Sequence, residues 1–564
     1  DDGRDRIKLV RGRLRSVPVV IGVARISEAI EIRRRPLQGI GERPAAAYVR
    51  GANVDLMRYV YTVLGGAIIG LAGRYPGANT LDAYWENLKT GRDCIGEIPA
   101  ERWSLAHFYE TDLEQAVEQG KSYSKWGGFI EGFADFDPLF FGIAPREARN
   151  MDPQERLFLG SCWEVVEDAG YTRASLQRQH GGRVGVFAGI TKTGFSLYGP
   201  ALWAQGKEDY PYTSFSSVAN RVSYLMNFNG PSLPIDTMCS ASLTALHEAC
   251  EHLKRDECEL AIAGGVNIYL HPSNSTAMCG QRMLSVDGQC KSFGAGGNGF
   301  VPGEGVGTVL LKALARAEAD GDHIYAVIKG TAINHGGKTS GYTVPSPNAQ
   351  AELIGKALAK ANIDARTLSY IEAHGTGTEL GDPIEITGLS KAFAEHSSTA
   401  ETGYCAIGSV KSNIGHLEAA AGMAGITKIL LQMKHRQLVP SLHAETLNPN
   451  IDFGKTPFVV QRALAAWEKP MLTLEGETRE YPRRAGISSF GAGGSNAHII
   501  LQEYTATPAS AGTAGHPPPE HPLLLVLSAK TAGQLVSQAQ NLLRYIDAQA
   551  LGEQDLVNLC YTLQ

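Results

Sequence analysis

No two cysteines stand in C-x-x-C spacing, and nine of them scattered over 564 residues make neither a disulfide scaffold nor a zinc site. A reducing, cytoplasmic setting is therefore expected, with no metal at the functional site. Long apolar runs are also missing. The most apolar stretch, between Arg58 and Arg74, falls short of the ~18 residues a membrane span needs and is broken by glycines, so it is expected to be a buried strand. The opening DDGRDRIKLVRGRLRS lacks a secretory leader's order of basic residues, apolar core and small-residue cleavage site. Charge of one sign is lacking too. A formal net charge of -6 gives no overall attraction to nucleic acid or anionic lipid. Finally, no G-x-S-x-G occurs, which removes the nucleophile elbow of serine hydrolases and acyltransferases.

What is present is a long chain of ordinary globular composition, with 43% hydrophobic and 20% charged residues. Residues 1–60 are rich in arginine and hold one apolar run, VPVVIGVA, which reads as a linker or docking segment. Residues 61–503 alternate short β-branched or small-residue runs (RVGVFAGI, LAIAGGVNI, GVGTVLLKAL, YAVIKGTAI, SYIEA, YCAIGS, AHIILQ) with amphipathic segments, the pattern of buried strands in an α/β domain. Residues 504–520, rich in Ala, Pro and Gly, read as a linker. Residues 521–564 offer a strand and helices, the start of a small flanking subdomain.

Some motifs point to the wrong chemistry. HEACEH, from His247 to His252, places its second histidine one residue too late for the H-E-x-x-H zinc helix, off the ligand face. GTAINHGGKTS has Ala332 where a phosphate-binding loop needs glycine. GAGGNGFVPGEGVG, from Gly294, reads as a tight surface loop ending in a strand.

Three residues are better placed. Cys239, in PIDTMCSASLTALHEACEHLK, sits where an extended run turns into a helix, so backbone N–H groups and the helix dipole favour a thiolate and can receive an oxyanion. SYIEA delivers His374 into the loop HGTGTELGDPIE, and YCAIGSVKSNIGH delivers His416 to the start of an alanine-rich helix. Each histidine is framed by small residues that leave room for a ligand, and the helix N-terminus keeps His416 neutral. Lys411 can pair with a carboxylate such as Glu385 and hold the loop.

Taken in order, DTMCSASL, HGTGTELGDPIE, KSNIGH and SSFGAGGSNAH resemble the active-site blocks of β-ketoacyl synthases of the thiolase superfamily, over nearly all of residues 65–503. GLAGRYPGA and MDPQERLFL are similar to ketosynthase domains of modular type I polyketide synthases. DTMCSASLTALH and INHGGKTSGYTVPSPNAQ resemble those of assembly lines whose acyltransferase is a separate protein, the trans-acyltransferase type. The resemblance implies a five-layer α-β-α-β-α fold of two similar halves, the first running to about residue 255 and the second from about 256. It also implies a homodimer and a place in antibiotic-type biosynthesis. The implied reaction is chain elongation by decarboxylative Claisen condensation. Cys239 would carry the acyl chain, received from the phosphopantetheine of one acyl carrier protein, and a malonyl unit on a second would extend it. No cofactor would be bound directly. His374 and His416 match the histidines of decarboxylation, Lys411 and Glu385 the supporting pair, and Thr376 and Thr378 the pantetheine contacts. The backbone N–H groups of Cys239 and Ala492 match the oxyanion hole. Ala492 also stands where fatty acid enzymes carry a gating phenylalanine, which implies a wider opening. Two alternatives share this chemistry: a non-elongating, transacylating ketosynthase, which typically lacks the histidine present here as His374, and a branching ketosynthase performing a Michael-type addition.

Overall fold

A computed structural model of the chain describes residues 10–14, 17–23, 66–398, 401–505, 523–549, 551 and 553–563. Two units separate along the chain, residues 1–50 with 506–564, and residues 51–505. In the first unit, β1 (Val10–Leu14) and β2 (Val17–Val23) pair antiparallel. Part of the expected linker or docking segment is thus built into a sheet, and the rest of it lies outside the described residues.

The larger unit is written twice. Its first half contains β3 (Gly66–Arg74), α1 (Pro153–Asp168), β4 (Val184–Gly189), α2 (Phe215–Met226), β5 (Ser232–Ile235), α3 (Ala241–Lys254), β6 (Leu260–Asn267) and β7 (Gly305–Ala313). Its second half contains β8 (Ala326–His335), α4 (Pro347–Ala361), β9 (Tyr370–Glu372), α5 (Gly381–Glu395), β10 (Cys405–Gly408), α6 (Ala421–His435), β11 (Phe458–Val460), β12 (Arg484–Phe490) and β13 (Ser495–Glu503). The strands run in the order β11-β10-β9-β12-β13-β8-β3-β7-β6-β4-β5. Read outward from the centre, each half places its first strand innermost, then its last, antiparallel to both neighbours, then the rest in parallel. β3 and β8 join the two sheets through the pairs Ala326↔Ile68 and Val327↔Ala67. The boundary expected near residue 255 is therefore corrected. β6 and β7 complete the first sheet, and the halves meet between β7 and β8.

Burial explains the layers. β4 and β6 are buried at every position, the signature of parallel strands covered on both faces. On one outer side, Leu157 and Val165 of α1 and Val218 and Val222 of α2 pack on Val186 and Ile262. On the other, Leu353 of α4 and Leu389 of α5 pack on Ile371 and Ile500. Between the sheets lie α3 and α6, with Leu243, Leu246, Ile426 and Ile429 against Leu311 and Ile499. The α6 residues 421–433 are buried on every side, which is why that helix is rich in Ala and Gly with no polar face. Asp152 caps α1 by accepting the Gln154 N–H at 2.8 Å, and Pro153 starts the helix with the φ it needs.

In the smaller unit, β14 (Leu523–Leu527) runs parallel to β2, and α7 (Ala532–Gln549) and α8 (Glu553–Leu563) follow. Leu525, Leu527 and Cys560 are its buried core. Of the expected linker 504–520, all but Tyr504 and Thr505 lies outside the described residues.

Candidate active site

β5 leads through Asp236 and Thr237 into a single tight turn, Met238–Ser240, that runs on into α3. Met238 has φ +55°, and its N–H is accepted by Asp236 Oδ1 at 3.1 Å. The Ser240 hydroxyl donates to the Thr237 carbonyl at 2.8 Å. A Cβ on Gly491 would stand 2.5 Å from that same carbonyl, so only glycine lets the SSFGAGG loop approach the cysteine turn so closely. There the Ala492 N–H donates to the Cys239 sulfur. The thiolate expected at this helix start is not favoured at rest. Burial, aided by the Glu418 charge, pushes the thiol up to about 11 despite the Ala492 N–H, Lys411 and Lys192. Cys239 is accordingly a thiol at neutral pH.

The second half brings both histidines together. Their rings lie 5.4 Å apart, centroid to centroid, nearly perpendicular. The Phe490 N–H donates to His374 Nδ1 at 3.3 Å, and the Glu418 N–H donates to His416 Nδ1 at 3.0 Å. A ring nitrogen that accepts a backbone N–H carries no proton, so each neutral imidazole carries its proton on Nε2. Burial holds both rings well below the usual histidine range, with Lys411 adding to the effect on each. His416 Nε2 is buried without a hydrogen-bond partner among the described residues. Two neutral N–H donors this close together can stabilise negative charge on a carbonyl oxygen.

Buried carboxylates hold the His374 loop. Glu385 accepts the His374 and Gly375 N–H groups at 2.7 and 2.8 Å, and Asp382 accepts those of Phe293 and Gly377 at 2.7 and 3.2 Å. Burial pushes Glu385 up to about 7 and Asp382 up to about 6. The expected Lys411–Glu385 pairing is corrected, since among the described residues these two close no ion pair. Glu385 is occupied by backbone donors, while Lys411 acts on the histidines through space and is itself lowered by burial. Thr378 accepts the Gly381 N–H at 3.1 Å, and its hydroxyl lies 3.4 Å from that of Thr376; both side chains are half-buried beside His374.

Several contributors carry no obvious sequence signal. Residues 301–303, expected in a surface loop, are buried and grip His416, whose N–H donates to Val301 and whose carbonyl accepts from Gly303 at 2.7 and 2.9 Å. His335, a non-glycine in a glycine-rich stretch, hydrogen-bonds the Gly493 carbonyl at 2.8 Å and so steadies the loop bearing Ala492. Lys192 and Glu418 form an ion pair of 2.6 Å beside the histidines. His247 bonds to Thr331 at 2.8 Å, whereas His252 bonds to Glu257; the two share no partner.

The Beta-ketoacyl synthase N-terminal domain model matches residues 67–317, the C-terminal domain model 325–445, and the Ketoacyl-synthetase C-terminal extension 448–562. Polyketide synthase PksL of Bacillus subtilis is 56% identical over 503 residues, covering 88% of this chain and 11% of that protein. Polyketide synthase ThaG of Burkholderia thailandensis is 55% identical over 502 residues, covering 88% and 9%. The chain thus spans about a tenth of the length of these curated relatives. Among solved structures, the Streptomyces albus oxazolomycin ketosynthase domain OzmH KS7 matches with TM-score 0.82 and 47% identity over 89% of this chain and 83% of that one. The ketosynthase from module 6 of the bacillaene synthase of Bacillus subtilis matches with TM-score 0.76 and 41% identity, over 89% and 80%.

Proposed function

Because the chain belongs to the β-ketoacyl synthase family, as a ketosynthase domain of a modular polyketide synthase with the thiolase-like fold, we propose that it elongates polyketides by decarboxylative Claisen condensation. It is an acyltransferase-type enzyme whose family uses acyl chains carried on phosphopantetheine. The observation that carries the elongating assignment is the pair of neutral Nε2–H imidazoles.

In the first step the Cys239 sulfur attacks the thioester carbonyl of an acyl carrier protein. The N–H groups of Cys239 and Ala492 take up the oxyanion, the thiol proton leaves with the pantetheine sulfur, and the acyl chain stays on Cys239. Thr376 and Thr378 hold the pantetheine arm. In the second step the malonyl thioester carbonyl accepts hydrogen bonds from Nε2 of His374 and His416. These stabilise the enolate as carbon dioxide departs. The enolate carbon attacks the Cys239 thioester, a β-ketoacyl product forms on the carrier protein, and the departing Cys239 thiolate takes a proton from water to regenerate the thiol. Burial keeps both imidazoles neutral, with Lys411 adding to the effect on each.

The malonyl carrier protein would be loaded by a separate acyltransferase, as the resemblance of DTMCSASLTALH implies. A homodimer would form along β5, an edge strand whose Leu233 is exposed and against which α2, with its exposed Tyr224, packs. Among the described residues no helix is long and apolar enough to cross a membrane, and a cytoplasmic setting is part of the proposal. The test is to acylate the protein with an acyl thioester surrogate and add malonyl carrier protein. A carrier-bound product longer by two carbons supports elongation. Acyl transfer to an unloaded carrier protein with no carbon dioxide release would mark a transacylating domain instead.

A further inference from the structure

We propose that Lys192 and Glu418 are a positioning pair for His416, acting through the Glu418 backbone; this rests on the role given to His416 in condensation. Lys192 follows β4, the second strand of the first half, as His374 follows β9, the second strand of the other. Its amine meets Glu418 Oε2 at 2.6 Å, and the two side chains are only 13% and 5% exposed. The buried Tyr269 hydroxyl donates to the other carboxylate oxygen, Oε1. The Lys192 carbonyl accepts from Gln154 Nε2 at 3.0 Å, which ties its loop to the start of α1. Both oxygens of Glu418 are thereby pinned from the first half of the fold.

The pinned residue has an unfavourable backbone. Glu418 sits at φ +42°, a conformation that a residue with a Cβ rarely adopts unless something holds it there. In that conformation its N–H points at His416 Nδ1 at 3.0 Å, the contact that places the proton on Nε2. Released from Lys192, Glu418 relaxes toward negative φ, the N–H turns away, and Nδ1 is free to take the proton. The donor aimed at the malonyl carbonyl is then lost from a fraction of molecules. Lys192 touches no reacting atom in this account, so it is a positioning residue.

Glycine separates this role from a purely electrostatic one, because it occupies positive φ without an anchor. Lys192→Met is expected to lower kcat for carbon dioxide release from malonyl carrier protein about 10- to 100-fold with KM changed little, a larger loss than the slowing of Cys239 acylation that follows from removing a charge that lowers the thiol. Lys192→Arg should recover most of the loss. In the Lys192→Met background, Glu418→Gln removes the stray charge but keeps a Cβ and should stay slow, whereas Glu418→Gly should return most of the rate. A Lys192→Met protein as fast as wild type, or Gln and Gly doubles that are equally slow, overturns the proposal. The ring-nitrogen resonances of His416 in [15N]histidine-labelled protein, assigned with His416→Gln, read the same device without turnover. Wild type and the Gly double should show an unprotonated Nδ1, and Lys192→Met a mixture; an unchanged Nδ1 in Lys192→Met also overturns it. Wild-type protein that releases no carbon dioxide overturns the elongation reading alone, since the resonances still decide the role of Lys192.

Discussion

The two halves of the large unit share one strand order yet carry different chemistry. After the third strand of the first half, β5, the chain turns through Cys239 into α3; after the third strand of the second, β10, it passes Lys411 and His416 into α6. The second strands, β4 and β9, are followed within three residues by Lys192 and His374 in the same way. One topology thus delivers four loops to a common centre. The first half presents a thiol, and the second presents two proton-bearing rings. The repeat supplies geometry, and the loop residues supply function.

Removing the proposed nucleophile breaks this division most completely. Cys239→Ala is expected to abolish the acyl adduct with a thioester surrogate, read by intact-protein mass, while His374 and His416 remain in place; labelling equal to wild type would remove Cys239 from its role. Next in size is the pH dependence of alkylation. With the thiol at about 11, iodoacetamide labelling of Cys239 should climb about tenfold per pH unit from neutrality, roughly a thousandfold by pH 10. Labelling already at a plateau near pH 7 would show a resting thiolate.

A smaller effect is expected where the halves touch. A Cβ on Gly422 of α6 would lie 2.6 Å from Leu243 Cγ of α3, so Gly422→Val must push apart the helices that follow His416 and Cys239. A loss of about 1–3 kcal/mol is expected, measured as a lowered Tm or denaturation midpoint. The smallest effect belongs to the proposed pantetheine contact. Thr376→Ala should raise KM for the carrier protein roughly 2- to 10-fold with kcat nearly unchanged, about the value of one neutral hydrogen bond.

The parts of this site written as local pattern were legible in the sequence. A strand-to-helix turn with Cys239, and strand-to-loop junctions with His374 and His416, announce themselves by the change from β-branched runs to glycine and threonine. What depended on long-range approach was not. Nothing in the composition of β8 tells that its C-terminal His335 will reach across to the Gly493 carbonyl. The grip of Val301 and Gly303 on His416 is likewise a contact between segments more than 100 residues apart. The Lys411–Glu385 pairing failed for a related reason, because opposite charges were weighed without the two backbone N–H groups that satisfy Glu385. The thiolate failed because a helix N-terminus was counted and the cost of burying a charge was not. The boundary between the halves failed because β6 and β7 had no signal assigning them to the first sheet, which only their pairing reveals.

The central claim is that the second half makes the carbanion and the first half only receives and holds the acyl chain. His374→Ala tests it most directly, with acylation of Cys239 followed by intact mass and carbon dioxide release from malonyl carrier protein measured on the same sample. Full acylation with carbon dioxide release reduced at least about a hundredfold is the predicted result. Release at the wild-type rate, or loss of acylation along with it in a protein of unchanged Tm, would contradict the division of labour.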